Sequence, residues 1–158
     1  MARKDITMSE AEILAFLDAG RTLQVSSLGR DGAPHLAPMW YVLDDGNVVF
    51  RSFTKSQKIV NLRRDPRLAV LVEAGKAYTE LRGVMIRGRA RLIDDRSYVL
   101  TVYGGLAERY AMVGDTPRTL TGDELEAAFG GHAEKNTAVL VEPEHVASWD
   151  HTKLGGAY

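Results

Sequence analysis

Residues 33–53 read APHLAPMWYVLDDGNVVFRSF, two runs rich in β-branched and aromatic residues on either side of the turn Asp44-Asp45-Gly46. Such runs, bounded by tight polar turns, are typical of antiparallel strands. A similar run precedes them, and the Asp31-Gly32 pair between the two is a common hairpin signal. The pattern therefore predicts three consecutive strands, over 22–28, 33–43 and 47–53.

Later apolar runs predict three more strands, over 67–74, 83–94 and 137–150. Helices are expected around them, and three begin with Ser or Thr followed three positions later by Glu or Gln, as in a capping box: Ser9/Glu12, Thr54/Gln57 and Thr121/Glu124. Residues 94–133 are predicted to be largely helical. We predict a single domain over 1–158, mainly β with flanking helices, in which six antiparallel strands close into a small barrel.

Composition excludes several classes of protein. The chain has 158 residues, 45% of them hydrophobic and 26% charged, as in globular domains. A net charge of −1 argues against a nucleic-acid or membrane-surface binder. Without cysteine there is no disulfide framework, zinc–thiolate site, iron–sulfur cluster or thiol nucleophile, and the four histidines show no metal-ligand spacing. The N-terminus lacks the apolar core of a signal peptide, so a cytoplasmic location is expected.

A basic segment follows the third predicted strand. Between residues 51 and 67 one acid, Asp65, stands against six bases: Arg51, Lys55, Lys58, Arg63, Arg64 and Arg67. If Thr54 caps the helix, Lys55 and Lys58 lie in its first turn, where each cation opposes the helix dipole by about 0.3–1 kcal/mol. Ammonium groups, amides and hydroxyls gathered at a helix start are typical of a phosphate site. The alternative is a solvated basic helix face.

Three other segments are candidates for ligand contact. The two prolines at 34 and 38 restrict ladder pairing, so the backbone near Pro38 is free to face a ligand, and Met39 and Trp40 offer surface to a flat ring. The alternative is an edge strand with core side chains. Arg87, Arg89 and Arg91 share one face of a strand and form either a solvated or subunit-facing surface or a site for an acidic ligand tail. The aromatic content of residues 149–158 predicts that this tail docks on the protein or a ligand.

These segments together resemble a known family. The motif residues are Gly32-Ala33-Pro34-His35…Pro38-Met39-Trp40-Tyr41, Asn47-Val48-Val49-Phe50-Arg51-Ser52 and Lys55-Ser56-Gln57-Lys58…Asn61-Leu62…Asp65-Pro66-Arg67. Over residues 9–149 the chain resembles the split β-barrel flavin- and deazaflavin-binding oxidoreductases, the pyridoxamine 5′-phosphate oxidase-like proteins. The ending Trp149-Asp150-His151…Lys153-Leu154-Gly155-Gly156 is most similar to the actinobacterial branch that uses coenzyme F420.

The resemblance implies a six-stranded split barrel that forms a homodimer, with two cofactor sites at the interface. Lys55 and Lys58 would hold the phosphate of F420, or alternatively FMN, with help from Ser52 and Thr54. The ring would lie against Pro38, Met39 and Trp40, with Arg51 nearby. The arginine strand and the tail around Trp149 and Lys153 would approach from the partner subunit.

The resemblance further implies hydride transfer from reduced deazaflavin to a conjugated or polycyclic small molecule, tetrapyrroles such as biliverdin among them. The absence of a catalytic dyad agrees with this, because the cofactor carries the chemistry. His35, Tyr41, His151 and water are all candidate proton donors, and residues 94–133 are expected to cover the substrate pocket. Vitamin B6 oxidation is disfavoured, because the Arg-rich substrate motif of those oxidases is missing near the C-terminus. Alternatives are an FMN-binding oxidoreductase and a non-catalytic cofactor- or tetrapyrrole-binding protein.

Overall fold

One curled antiparallel sheet forms the body of the computed structural model, which describes residues 6–155. Within these residues the sheet has seven strands, in the order β2-β1-β5-β6-β7-β4-β3. The strands are β1 Leu23–Leu28, β2 Pro34–Met39, β3 Val42–Asp44, β4 Asn47–Phe53, β5 Arg67–Ala74, β6 Arg82–Ile93 and β7 Asn136–Asp150. The split-barrel fold is confirmed.

The prediction of six strands is wrong by one, because the predicted strand 33–43 divides at Trp40 and Tyr41. The first part, β2, pairs with β1, whereas the second part, β3, pairs with β4. These two partners lie towards opposite ends of the sheet. Tyr41 is fully buried, and its hydroxyl donates to the carbonyl oxygen of Leu17, which fixes the crossing.

Four α-helices accompany the sheet in the described part of the chain: α1 Glu10–Ala19, α2 Gln57–Arg64, α3 Arg96–Arg109 and α4 Gly122–Ala133. Two short 3₁₀ helices, Tyr78–Glu80 and His151–Leu154, flank β6 and β7. No helix among residues 6–155 combines the length and apolar character needed to cross a membrane.

The three predicted capping boxes have different outcomes. That of α1 is confirmed, since the Ser9 amide donates to Glu12 and the Glu12 amide donates to Ser9 Oγ. Thr121 is the N-cap of α4, but its side chain makes no capping bond. The prediction for α2 is wrong, because Ser56 is its N-cap, and the Thr54 amide still donates to the Lys135 carbonyl oxygen as a continuation of the sheet.

Two apolar clusters hold the sheet and helices together. One fills the barrel interior and includes Phe50, Ile59 and Val70; the other lies between the sheet and helices α3 and α4 and includes Val49 and Leu106. Because Val49 and Phe50 point to opposite faces, β4 is buried on both sides. Its position, and that of the residues that follow it, is therefore fixed by packing from two directions.

Candidate functional site

A cleft of about 340 Å³ lies between β2 and β4. It is lined by Thr22, Pro38, Met39, Trp40, Arg51 and Leu106. Four predicted site residues, Pro38, Met39, Trp40 and Arg51, are therefore brought together. Leu106, on α3, adds an apolar wall, as expected if this helical segment covers a pocket.

Trp40 is held in place by an aromatic partner that sequence analysis did not identify. Its ring stacks on Tyr110 with 4.6 Å between centroids and 8° between planes. The guanidinium of Arg21 lies 4.7 Å from the centre of the Tyr110 ring, and Arg109 Nε donates to the Tyr110 hydroxyl at 3.2 Å. Tyr110 is buried, whereas 46% of Trp40 is exposed. The cleft therefore has a firmly supported aromatic platform.

A group of cations and hydroxyls lies at the end of β4 and the start of α2, next in the chain to Arg51 of the cleft. Lys58 Nζ donates to Ser52 Oγ at 3.2 Å, and Ser52 Oγ lies 3.0 Å from Ser56 Oγ. Burial and the charge of Arg51 lower the pKa of Lys58. Arg51 itself lies 4.6 Å over the Tyr103 ring.

No carboxylate forms an ion pair with Arg51, Lys55 or Lys58 within residues 6–155. We call Arg51, Ser52, Ser56 and Lys58 the cation cluster. Like charges held together without an acidic partner favour an anion at this place.

Two predicted phosphate ligands lie outside the cluster. Lys55 precedes α2 and is exposed. Thr54 Oγ1 lies 3.0 Å from Thr137 Oγ1, and the Thr137 hydroxyl donates to Asp94 at 2.6 Å. Asp94 also accepts from Arg63 at 2.7 Å. Thr54 thus anchors the loop before α2 to the rest of the barrel.

The two predicted C-terminal site residues lie outside the cleft of their own protomer. Trp149 packs on Gly83, where any Cβ would collide with the indole ring. Lys153 Nζ donates to Glu12 Oε2 at 2.8 Å and to the Thr7 carbonyl oxygen at 2.8 Å. Their contact with a partner's site stays a prediction, and Gly156 and Tyr158 of the same tail lie outside the described residues.

The arginine stripe of β6 is exposed at Arg87, Arg89 and Arg91. Arg89 and Arg91 line a groove of about 800 Å³, together with Arg63, Glu142 and Glu144. The stripe arginines form no ion pair among the described residues. The nearby glutamates make this groove a mixed-charge surface, unlike the cation cluster.

The candidate proton donors are dispersed. Burial raises the pKa of Tyr41 to about 12, and its hydroxyl is committed to Leu17. The ring of His151 contacts the Tyr78 carbonyl oxygen at 2.8 Å, on the 3₁₀ helix before β6. No group of three or more His, Cys, Asp and Glu residues suited to a metal ion occurs in the described chain.

Comparison with known proteins identifies the family. The profile described as pyridoxamine 5′-phosphate oxidase matches residues 9–150, most of the chain. The chain belongs to this family. Solved structures of low sequence identity share the fold of the chain. None of the curated proteins compared with the chain matches it.

Three solved structures are similar to the chain. The conserved hypothetical protein Rv2991 from Mycobacterium tuberculosis is 39% identical, with a TM-score of 0.88 over 98% of this chain and 92% of that one. An F420 reductase is 20% identical, with a TM-score of 0.63 over 84% and 94%. A FAD-binding protein from Mesorhizobium loti is 20% identical, with a TM-score of 0.64 over 90% and 94%. The latter two show the shared fold.

Proposed function

We propose that the protein is an F420-dependent reductase that transfers a hydride to a conjugated or polycyclic small molecule. The observation that carries the proposal is the cation cluster beside the Trp40 cleft. Arg51 and Lys58 are near enough for the charge of Arg51 to lower the pKa of Lys58, and Arg51 lines the aromatic cleft. Neither forms an ion pair with a carboxylate among residues 6–155. A cofactor with a planar ring joined to a phosphate would place the ring on the aromatic surface and the phosphate beside the cations.

The chain's own residues would bind and orient such a cofactor. Lys58, Ser52 and Ser56 fit the phosphate, since Ser52 Oγ on β4 lies 3.2 Å from the Lys58 ammonium group and 3.0 Å from the Ser56 hydroxyl. Pro38, Met39 and Trp40 fit the ring, and Leu106 closes the cleft against water. When bound, the reduced deazaflavin supplies the hydride, and the protein contributes positioning and shielding.

A homodimer is part of the proposal, and the outer face of the sheet supports it. One row of this face runs across five strands in register: Pro38, Gln24, Leu71, Met85 and Ala147. Beside it, Leu36 is 66% exposed. Association with a second copy would cover Leu36 and this row, which is apolar apart from Gln24, and would bring the partner's arginine strand and C-terminal tail towards the cleft.

The decisive experiment is a titration of the purified protein with F420 and with FMN, followed by fluorescence and absorbance. We expect F420 to bind and Lys58→Ala to weaken it by about 1.5–3 kcal/mol, the worth of a charged hydrogen bond. Lys76→Ala, which removes an exposed lysine after β5, is the matched control and should change nothing. Failure of every phosphate-bearing cofactor to bind would refute the proposal.

A flavin is the second candidate cofactor, because the FAD-binding neighbour has the same fold and the cation cluster suits either phosphate. Tight FMN or FAD binding with no affinity for F420 would establish that alternative. A screen of conjugated acceptors with the reduced cofactor then tests catalysis. If the bound cofactor is never oxidised by any acceptor, the protein is a binding protein instead of a reductase.

A further inference from the structure

An arginine at the rim of the Trp40 cleft has no polar partner. Arg21 directly precedes Thr22, which lines the cleft, and the next residue, Leu23, pairs with Met39, which lines the cleft too. Arg21 is exposed. Its guanidinium donates no hydrogen bond and forms no ion pair among residues 6–155. The rim of the cleft therefore carries a positive charge that the protein itself leaves unbalanced.

Tyr110 holds Arg21 in place through both its side chain and its backbone. The guanidinium carbon of Arg21 lies 4.7 Å from the centre of the Tyr110 ring, and the Tyr110 hydroxyl donates to the Arg21 carbonyl oxygen at 2.9 Å. The same ring stacks on Trp40 with 4.6 Å between centroids. The guanidinium therefore lies no farther from the centre of the Trp40 ring than the sum of the two ring distances, 9.3 Å. This cation is thus fixed close to the surface that is proposed to carry the cofactor ring.

The surroundings of the cleft favour an anion next to Arg21. The six residues that line the cleft include no Asp or Glu, and they contribute the positive charge of Arg51. Asp18, the acid nearest to Arg21 in the sequence, lies 3.6 Å from Arg109 instead. Because like charges raise the local potential, an anionic group is attracted to this rim. The donors of Arg21 are left for a ligand.

We infer that the acceptor substrate carries a carboxylate, which Arg21 binds at the rim while the conjugated part of the acceptor lies against the cofactor ring. The inference rests on the proposed function, because it takes the cofactor ring to lie on Trp40 and the phosphate to lie at the cation cluster. A guanidinium offers parallel N–H donors that match the two oxygens of a carboxylate. The carboxylate keeps its bonds and its charge during hydride transfer, so Arg21 selects and orients the acceptor without taking part in the chemistry.

A matched pair of acceptors that differ in charge tests this inference. The probes are a coumarin with a carboxymethoxy arm, which is a conjugated lactone bearing a carboxylate, and the primary amide of the same compound. Their dissociation constants are measured by calorimetry on the full chain saturated with oxidised F420, or with the flavin if that is the cofactor that binds. Arg21→Met keeps the apolar stem and the carbonyl oxygen that accepts from Tyr110, and Arg21→Lys keeps the charge. Lys76→Met, which removes one exposed positive charge after β5, is the matched control.

We expect the wild-type complex to bind the acid about two- to fivefold more tightly than the amide, the range of an exposed ion pair. Arg21→Met should abolish this preference by weakening the acid alone. Arg21→Lys should retain part of the preference, and Lys76→Met should retain all of it. Salt at about 0.5 M should reduce the preference of the wild type, because it screens exposed charges.

Three results with the probes overturn the inference: equal binding of the acid and the amide by the wild-type complex, binding of neither, or an equal loss of both in Arg21→Met. A loss of cofactor affinity in Arg21→Met overturns it as well, since Arg21 would then belong to the phosphate site. The proposed function stands in all four cases, because the cofactor titration decides it separately. If no cofactor binds the wild-type chain, the proposed function fails and the inference fails with it.

Discussion

The ring of Trp40 lies flat on that of Tyr110, with 4.6 Å between their centroids, although the two residues are on different elements of the fold. Trp40 stands where the chain passes from β2 to β3, and Tyr110 is the C-cap of α3. The contact couples the cleft to the helical segment that covers it. A change at Tyr110 should therefore alter the Trp40 cleft, although Tyr110 is not among the residues that line it.

We expect Tyr110→Leu to release Trp40 and to destabilise the fold by about 2–4 kcal/mol, as other truncations of buried aromatic residues do. Tyr110→Phe keeps the stack and loses only the hydroxyl contacts, so its cost should be about 0.5–1.5 kcal/mol. Emission of Trp40, measured in a Trp149→Phe background, should shift to the red in Tyr110→Leu only. An unshifted spectrum would show that Tyr110 does not support Trp40.

Lys58 is expected to lower the stability of the unliganded protein and to raise its affinity for a ligand. Burial and the neighbouring charge of Arg51 lower its pKa, so its ammonium form is disfavoured in the folded protein. Without ligand, Lys58→Met should raise the melting temperature, whereas Lys55→Met, at an exposed position, should leave it unchanged.

The pH dependence provides a second check on Lys58. Because its pKa is lower in the folded than in the unfolded chain, the unfolded chain binds more protons, and stability rises as pH increases towards the ordinary lysine value of 10.5. Lys58→Met should reduce this rise in urea unfolding experiments. A melting temperature of Lys58→Met below that of the wild type would contradict the prediction that Lys58 destabilises the unliganded fold.

Asp94 should stabilise the anchor of the β4–α2 loop in a pH-dependent way. Its hydrogen bonds from Arg63 and then from Thr137 lower its pKa below 3.8. The stability it contributes is therefore present above pH 3.8 and is lost as pH falls through the lower folded value. Because Asp94 is more than half exposed, Asp94→Asn should cost less than about 1 kcal/mol at pH 7.

Urea unfolding of Asp94→Asn and wild type between pH 7 and about pH 2 measures this contribution. The two curves should converge at the acid end. Asp115→Asn, at an exposed position in the loop between α3 and α4, is a control without an ion pair in the described chain. A constant gap between Asp94→Asn and wild type at all pH values would rule out the ionic part of the effect.

Leu36 provides a test of the proposed dimer. It is the most exposed large apolar side chain of the described residues and lies on the outer face of β2. Leu36→Lys should shift sedimentation from a dimer towards a monomer, since a charge would be buried at the interface. Val146→Lys is a control, because its strand partner Ile86 is buried, which places Val146 on the opposite face. Unchanged sedimentation of Leu36→Lys would exclude this face.

The barrel and the first helix could be predicted because local signals determine them. Strand periodicity, the Asp31-Gly32 turn and the Ser9/Glu12 box all agree with the structure. The division of β2 from β3 could not be predicted, since Trp40 and Tyr41 suit a strand equally well. Only pairing with partners at opposite ends of the sheet separates the two strands.

Distant contacts also explain the errors at the site. The start of α2 was predicted at Thr54, but a hydroxyl partner 83 residues away, Thr137, and the Lys135 carbonyl oxygen hold Thr54 in the sheet. Met39, Trp40 and Lys58 could be named as candidates because their neighbours in the sequence already form motifs. Tyr103 and Tyr110 could not be named in this way, because the sequence spacing of an aromatic residue on a helix is the same whether it packs in a core or supports a ligand site.

The placement of the two prolines has a consequence for the behaviour of the protein in concentrated solution. Strand β2 ends the sheet on one side, where an approaching chain could otherwise add itself through amide hydrogen bonds. Pro34 and Pro38 have no amide hydrogen, so another strand cannot form a continuous ladder of hydrogen bonds with this edge. The free edge of β2, which borders the Trp40 cleft, is thereby protected against growth into fibrils.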